Sequence, residues 1–476
     1  MIKKKIVINA IIIFSFIFSI ILSIFYLSKY DSYQLDGITH IMLKEETYYH
    51  WFQAALIVEE IKNGTSFFTA GEEMFTKALP QRLVVLYSYI ANFNIVDNWE
   101  NNRISLGNKF PFLFTQSIIY YLSVYIFFRQ ISKLIDNKVT LPIILFLCLE
   151  PTIFQYHSSF WTESFYFSIQ LLILSSMLMS MEKKRKYLTI GILLGILFTQ
   201  RSAGIFYLVI VCFYYFFTIE KNKFKKISLI IIPYFFICLL LGIHNYKRAG
   251  AFYVMPTEGK YGMYKYFAKN ILVESNNSTV SEINKLEVKK SLIWIKNNME
   301  NINYSNFNDI NSPYEIGLAL KNERDRIKFY GYLNKRSYEI LFDNPIITFK
   351  NVITAFIHFS ILNPFFIYSD NEYYKDYSSS IIGDFVFSEK HKNYIPIRVF
   401  YTFLIYLICF IGFVDCIKKN TKLTMLLVFS ILYYYLILGW YGKTRLFTPC
   451  LIYLSVFFGY GLNIIFNKLK IYKGTL

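Results

Sequence analysis

Two adjacent carboxylates, Glu45 and Glu46, stand in the stretch Lys44-Glu45-Glu46-Thr47-Tyr48-Tyr49-His50-Trp51. A carboxylate beside a like charge in a partly desolvated cleft holds its proton more tightly, which suits a general base acting on an alcohol or amine. The same pair could also open an exposed amphipathic helix, where acids are favoured by the N-terminal dipole. Glu150 and Glu163 bracket a short stretch between two apolar runs, and ionisable residues at membrane depth are costly and tend to mark sites. Glu163 equally fits the start of the run that follows it. Arg201 closes the run from Gly191, and Arg445 stands in Trp440-Tyr441-Gly442-Lys443-Thr444-Arg445, while Arg82 follows Pro80-Gln81. A guanidinium fork suits a phosphate or pyrophosphate; snorkelling towards lipid headgroups is the competing reading. Gly191 and Gly195 form a GxxxG, first of all a helix-packing device. No Cys/His spacing resembles a metal site. No resident cofactor is implied, a divalent cation such as Mg or Mn being the one addition the chemistry leaves room for.

These residues must be positioned by a membrane protein. Of 476 residues, 55% are hydrophobic, 20% aromatic and only 17% charged, with a mean hydropathy of +0.36. No soluble core could hide so many Phe, Ile, Leu and Tyr side chains. A net charge of +18 would suggest nucleic acid in a soluble chain. Here the Lys and Arg residues fall in short clusters between apolar runs, as cytoplasmic anchors do, and nucleic-acid binding is excluded. All six cysteines lie in or at the ends of apolar stretches, so the outer loops hold no disulfides.

About 20 apolar residues make one crossing. The sequence predicts spans at Ile6–Leu27, Phe110–Phe128, Leu141–Tyr156, Glu163–Met181, Tyr187–Gln200, Ala203–Thr218, Ile227–Ile243, Ile395–Ile417, Leu423–Trp440 and Leu446–Phe466. The first is an uncleaved span, since its apolar run is too long for a signal peptide. Basic clusters at Lys3 to Lys5, Lys133 and Lys138, Lys183 to Lys186, Lys221 to Lys226, Lys418 to Lys422 and Lys468 to Lys473 recur at alternate boundaries. The positive-inside rule then gives an all-α polytopic membrane protein of about ten transmembrane helices with both termini cytoplasmic. Residues 1–243 form an N-terminal membrane module whose first outer loop, 28–108, carries interfacial amphipathic segments at Tyr49–Ile61 and Pro80–Phe93. Residues 244–394 form an outer, periplasmic segment with a helix start at Ser278/Thr279, an amphipathic stretch Pro313–Phe342, and an interfacial or re-entrant helix over 346–367. Residues 395–476 supply the C-terminal membrane helices.

The order of short motifs then resembles a known family. An acidic pair and a tyrosine lie in the first outer loop (Glu45, Glu46, Tyr49), followed by Pro80-Gln81-Arg82, Thr162-Glu163, the Gly191 to Arg201 span, Asn344-Pro345, and Arg445 to Pro449. Together they resemble the C-type (GT-C) integral-membrane glycosyltransferases, specifically the bacterial relatives of protein O-mannosyltransferases and of the lipid A aminoarabinose transferase. The resemblance implies a GT-C-like fold in the bacterial cell membrane, with its active site facing the periplasm or exterior. It implies an inverting transfer of a sugar from a polyprenyl-phosphate donor to a glycan, lipid or protein acceptor. The family's catalytic acid falls on Glu45 or its neighbour Glu46. The family usually has Asp there, one methylene shorter. Tyr49 completes that motif, and lipid-phosphate contacts fall on Arg201 and Arg445, with Arg82, Glu150 and Glu163 as further substrate-binding candidates. Two other readings stay open: a polymerase or ligase of O-antigen or capsule units with a lipid-diphosphate donor, and a flippase or transporter of lipid-linked sugar.

Overall fold

The computed structural model describes residues 2–31, 53–67, 70, 78–92, 94–95, 106–154, 156, 162–179, 184–219, 221–254, 258–300, 302, 307, 310–320, 322–362, 394–439 and 444–474. Among these the regular structure is helical throughout. Glu45, Glu46 and Tyr49 lie outside the described residues.

The bundle is assembled from α1 (Ile2–Asp31), α4 (Leu106–Ile131), α5 (Asn137–Leu149), α6 (Thr162–Leu178), α7 (Lys184–Gln200), α8 (Tyr207–Thr218) and α9 (Lys223–Ala249), completed by α15 (Tyr394–Lys419), α16 (Thr421–Leu438) and α17 (Thr444–Gly474). Every predicted crossing is present as a helix, and among the described residues six of these are long and apolar enough to cross a membrane. The other four are shorter: α5 has 13 residues, α6 and α7 have 17 each, and α8 has 12. At 1.5 Å per residue they reach roughly 18–26 Å, below a hydrocarbon core of about 30 Å. α5 is cut short where its apolar run meets Glu150-Pro151, since the residue before a proline is disfavoured in helical geometry.

Close packing follows from small residues. α1 turns Ser15, Ser19 and Ser23, one helical face, to the interior below Ile8 and Ile12, and packs on α4. The GxxxG of α7 faces α9: a Cβ on Gly191 would lie 2.2 Å from the carbonyl oxygen of Ile230, and one on Gly195 2.4 Å from Ile237 Cδ1. α15 and α17 approach more closely still, with 1.7 Å between a Cβ on Gly412 and the Phe457 oxygen and 2.0 Å between one on Gly461 and the Ile408 oxygen. Without a hydrophobic gradient between helices in lipid, such backbone approach is a main source of association.

Two further apolar clusters lie apart from the bundle core. Helix α2, over residues 53–62, and α3 (Ala78–Ile90) bury Ala54, Ile57, Val84 and Val85 against Phe112 and Leu113 of α4, with Phe165 of α6 packed on the cluster. The two amphipathic segments expected in the first loop are these helices. The second cluster belongs to the 244–394 segment. It is built from α10 (Glu258–Met263, a π turn Tyr264–Ala268, and Lys269–Ser275), α11 (Val280–Asn298), α12 (Pro313–Ala319) and α13 (Glu323–Asp343). Thr279 opens α11 with a capping box: its N–H donates to Glu282 Oε2 at 2.8 Å and its hydroxyl accepts from Glu282 N at 3.3 Å. The amphipathic stretch Pro313–Phe342 forms two helices, since Leu320 leaves helical geometry and Asn322 caps α13. Buried Glu287 accepts a fork from Arg336, at 3.2 and 3.3 Å, across α11 and α13. Arg248 at the end of α9 meets Glu323 at 3.4 Å, and Tyr253 donates to the same carboxylate at 2.9 Å, fastening α13 to the bundle.

After Asn344 the chain turns by 106° into α14 (Pro345–Ser360), the position read as an interfacial or re-entrant helix. The residue before proline is disfavoured in helical geometry, so Asn344-Pro345 ends one helix and pre-sets the next. α14 is latched to α10 through Glu274, which accepts from Lys350 Nζ at 2.5 Å and Asn351 Nδ2 at 2.9 Å.

Two outcomes are expected. Gly412→Leu should lower the unfolding free energy by about 1–3 kcal/mol or more through overpacking, read as a reduced melting temperature of the detergent-solubilised protein. The hydrogen bonds from Lys350 and Asn351 hold the Glu274 carboxyl below the usual glutamate value. Its contribution is therefore present above the unfolded value, about 4.3, and is lost as pH falls through the lower folded value. Hydrogen exchange over residues 345–360 should accelerate on acidification through that range, whereas Glu274→Gln should show weaker protection at neutral pH and no comparable acid step.

Candidate functional site

The helix ends that carry the candidate residues converge on one rim of the bundle, opposite the basic turns. α6 begins there and α7 ends there, packed against each other. Glu163 stands in the first turn of α6 and is fully buried. Arg201 follows the last residue of α7, and its Nη1 donates to Glu163 Oε1. An acid at a helix N-terminus and a cation just past a C-terminus each complement the local dipole, so the antiparallel pair stabilises both ends. Thr162 Oγ1 donates to Glu163 Oε2 at 3.2 Å, and Gln200 Nε2 donates to the Thr162 carbonyl at 2.9 Å. Arg201 is extended, with its carbonyl receiving Gly204 N at 2.9 Å in a 3₁₀ turn, Ser202–Gly204. Tyr433 of α16 donates to the Ala203 carbonyl at 2.5 Å, which fixes the turn. One guanidinium nitrogen is thus committed to Glu163, and the side chain is 10% exposed.

Beneath this pair lies a chain of buried hydroxyls. Tyr166 and Tyr434 share a hydrogen bond at 2.7 Å, Gln170 Nε2 donates to Tyr434 at 2.8 Å and to Tyr453 at 3.2 Å, and Tyr453 donates to Tyr207 at 2.7 Å. Tyr207 continues to Ser430 at 2.9 Å. Helices α6, α8, α16 and α17 are joined by it.

A second polar group gathers where α5 ends, α14 ends and α15 begins. Glu150 is buried; its Oε2 accepts Ile153 N at 2.8 Å, capping the turn Pro151–Phe154, and its Oε1 accepts the Tyr401 hydroxyl at 2.6 Å. Buried Arg398 donates through Nε to the Leu362 carbonyl at 3.2 Å, and Thr402 Oγ1 accepts Leu362 N at 3.0 Å. Buried His358 is close enough to feel the Arg398 charge. Ser360 pairs with Tyr435 at 2.6 Å, and Tyr406 donates to the Ser360 carbonyl at 2.7 Å.

The structure therefore brings Glu163 and Arg201 into direct contact, while Glu150 takes different partners. Arg82 sits on α3, which packs on α7, and its Nη2 donates to the Ala70 carbonyl at 3.2 Å. Arg445 is the second residue of α17, and its side chain is outside the described part. Two residues later the Phe447 ring packs at 5.3 to 6.2 Å on Phe359, Tyr406 and Tyr435, placing the start of α17 beside the His358 and Arg398 group. The sequence reading passed over His358 and Arg398. Arg398 carried the same signal as Arg445, a lone arginine opening an apolar run away from the basic turns. Among the described residues no three His, Cys, Asp or Glu side chains gather as metal ligands, and Glu45 and Glu46 lie outside them.

With this geometry in place, comparison with solved structures defines the fold. The chain is similar over 99% of its length, at 13% identity and a TM-score of 0.50, to the archaeal oligosaccharyltransferase AglB from Archaeoglobus fulgidus, solved with an inhibitory peptide and a dolichol-phosphate. It matches the apo form of the Archaeoglobus fulgidus oligosaccharyltransferase over 98% of its length, at 11% identity and a TM-score of 0.50. The chain spans about half the length of those proteins, 52% and 51%. The fold is that of an all-α polytopic membrane protein, shared with these oligosaccharyltransferases. No protein-family model and no curated protein matches the sequence.

The buried pair has a definite energetic consequence. Glu163→Gln or Arg201→Gln alone should destabilise by about 3–5 kcal/mol, because each leaves an uncompensated charge in a desolvated place. The double variant should recover much of the loss. Thermal unfolding of the four proteins in nanodiscs gives the coupling; additive single losses would mean that the two groups do not act as a pair.

Proposed function

We propose that the protein is a membrane glycosyltransferase that moves a sugar from a polyprenyl-phosphate donor to a glycan, lipid or protein acceptor at the cell surface. The observation that carries this reading is the gathering of Arg201, Arg398, His358 and the start of α17, with Arg445, around one rim of a GT-C-type bundle. The same rim receives α3 of the first loop. The likeness to the oligosaccharyltransferases supports the fold on which the reading is built.

In this mechanism the donor's prenyl tail lies along the apolar helices and its phosphate rests at the rim. Arg445 and Arg398 donate to the phosphate oxygens, and Arg201 adds its remaining N–H groups, oriented by Glu163. Charge grows on the phosphate as its bond to the anomeric carbon breaks, so donors fixed at that point lower the barrier. The acceptor hydroxyl attacks the anomeric carbon from the opposite face, its proton passing to Glu45 or Glu46, and polyprenyl phosphate leaves with inversion. Residues 1–243 and 395–476 supply the membrane halves of the site, and 244–394 covers it and selects the acceptor. The clustering of Lys and Arg on the opposite turns supports a rim on the periplasmic or exterior side of a bacterial cell membrane in this reading. No step here passes through a metal ion.

The test is mass spectrometry of surface glycans and lipid-linked intermediates in a deletion strain complemented with variants. The wild-type gene should restore the glycan. Either Glu45→Gln or Glu46→Gln should cut transfer about 100-fold or more, and Arg445→Ala or Arg398→Ala about 100- to 1000-fold, with a monophosphate-linked sugar accumulating. Unchanged glycans on deletion would defeat the proposal, and accumulation of a diphosphate-linked oligosaccharide would replace it with a polymerase or ligase.

A further inference from the structure

The 106° turn between α13 and α14 carries an unusual pair of side chains. Phe342 and Ile346, on either side of Asp343-Asn344-Pro345, are 80% and 83% exposed, the highest values among the large apolar residues described. From that apex an apolar stripe continues along α14 through Phe349, Ile353 and Ile357, all exposed, at helical spacing. The opposite face of α14 buries Asn351, Ala355, His358 and Phe359. The stripe thus points away from the protein along its whole length.

What covers it is set by its neighbours. α14 ends against α16, a helix that passes the test for a membrane crossing: the Phe356 ring occupies the space beside Gly439, and Ser360 bonds Tyr435. Leu432 and Leu436 of α16 are themselves exposed, Leu436 by 71%, and on a membrane-crossing helix such residues meet lipid. The stripe therefore prolongs a lipid-facing surface. Lys350 flanks it with its ammonium turned aside to Glu274, the arrangement of a cation held at headgroup level while apolar neighbours go deeper. At 16 residues, about 24 Å, α14 is too short to cross and suited to lying within one leaflet.

We propose that the α13–α14 elbow is a membrane wedge, with Phe342, Ile346, Phe349, Ile353 and Ile357 immersed in the leaflet on the rim side. This goes beyond an interfacial helix over 346–367, because it places the end of α13 and the apex of the turn in lipid and fixes which face is down. The wedge holds the cluster of α10 to α13 against the bilayer next to the rim, at the level where a lipid-linked substrate would arrive. It does not depend on the transfer chemistry.

Spin labels on the full-length protein in phosphatidylglycerol/phosphatidylethanolamine nanodiscs test it. Labels at Ile346→Cys and Phe349→Cys are compared with Leu436→Cys as a lipid reference and Lys289→Cys, on an exposed position of α11, as an aqueous one. Unlabelled native cysteines are controlled by the parent protein. Labels at 346 and 349 should collide several-fold more with oxygen than with an aqueous nickel chelate, as at 436. A profile like that at 289 overturns the proposal. Dipolar broadening at 346 that vanishes on dilution with unlabelled protein also overturns it, in favour of a second copy of the chain on this face.

Discussion

The architecture of the rim depends on one buried ion pair. Glu163 and Arg201 are separated by 38 residues and meet because α6 and α7 run antiparallel, so that the start of one helix and the end of the other coincide. Neither charge is tolerable alone in that place. The pair needs both the geometry and the additional hydrogen bond from Thr162, since a buried ion pair offsets its desolvation only when its remaining capacity is filled. Gln200 then bonds the Thr162 backbone, and Tyr433 bonds the turn after Arg201. Three helices, α6, α7 and α16, register against one electrostatic contact.

That contact also sorts the cationic residues by role. Arg201 is already compensated by a fully buried carboxylate, so its charge is partly spent before any substrate arrives. Arg398 and Arg445 open α15 and α17 at the same rim, and the described contact of Arg398 is with a backbone carbonyl. In the proposed transfer the part of Arg201 is therefore positional. The sequence presents Arg201 and Arg445 alike, and the contact with Glu163 is what the structure adds for Arg201.

How much of this could be read from the residues follows from the range of the forces involved. The helices of the bundle were legible, because hydrophobic runs and the alternation of lysine clusters are local signals. So were the GxxxG contact, the Thr279 cap and the break at Asn344-Pro345, each decided within a few residues. Helix length was less legible: α5 stops at Glu150-Pro151, and α8 begins only at Tyr207 because a 3₁₀ turn occupies Ser202–Gly204, so both are shorter than their apolar runs. Partnerships between distant residues were not legible at all. Nothing near Glu163 names Arg201, and nothing near Glu150 names Tyr401, 251 residues away. His358 and Arg398 escaped for the same reason, since each is unremarkable until α14 and α15 are brought together.

The elbow beside this rim joins the peripheral cluster to the bundle. α14 is tied to α10 by Glu274 and to α16 by Ser360 and Tyr435, so a displacement of the helix in the leaflet is felt at both the cluster and the rim. The contacts to α16 lie within one turn of His358, and Leu362, two residues after Ser360, holds Arg398. The placement of Leu362, and with it that of Arg398, is thereby set by a single short helix. Under the proposed transfer, a phosphate carried on a prenyl tail would arrive at a depth set by the membrane, and a short helix seated in the leaflet would give the cations that open α15 and α17 a reference to that plane.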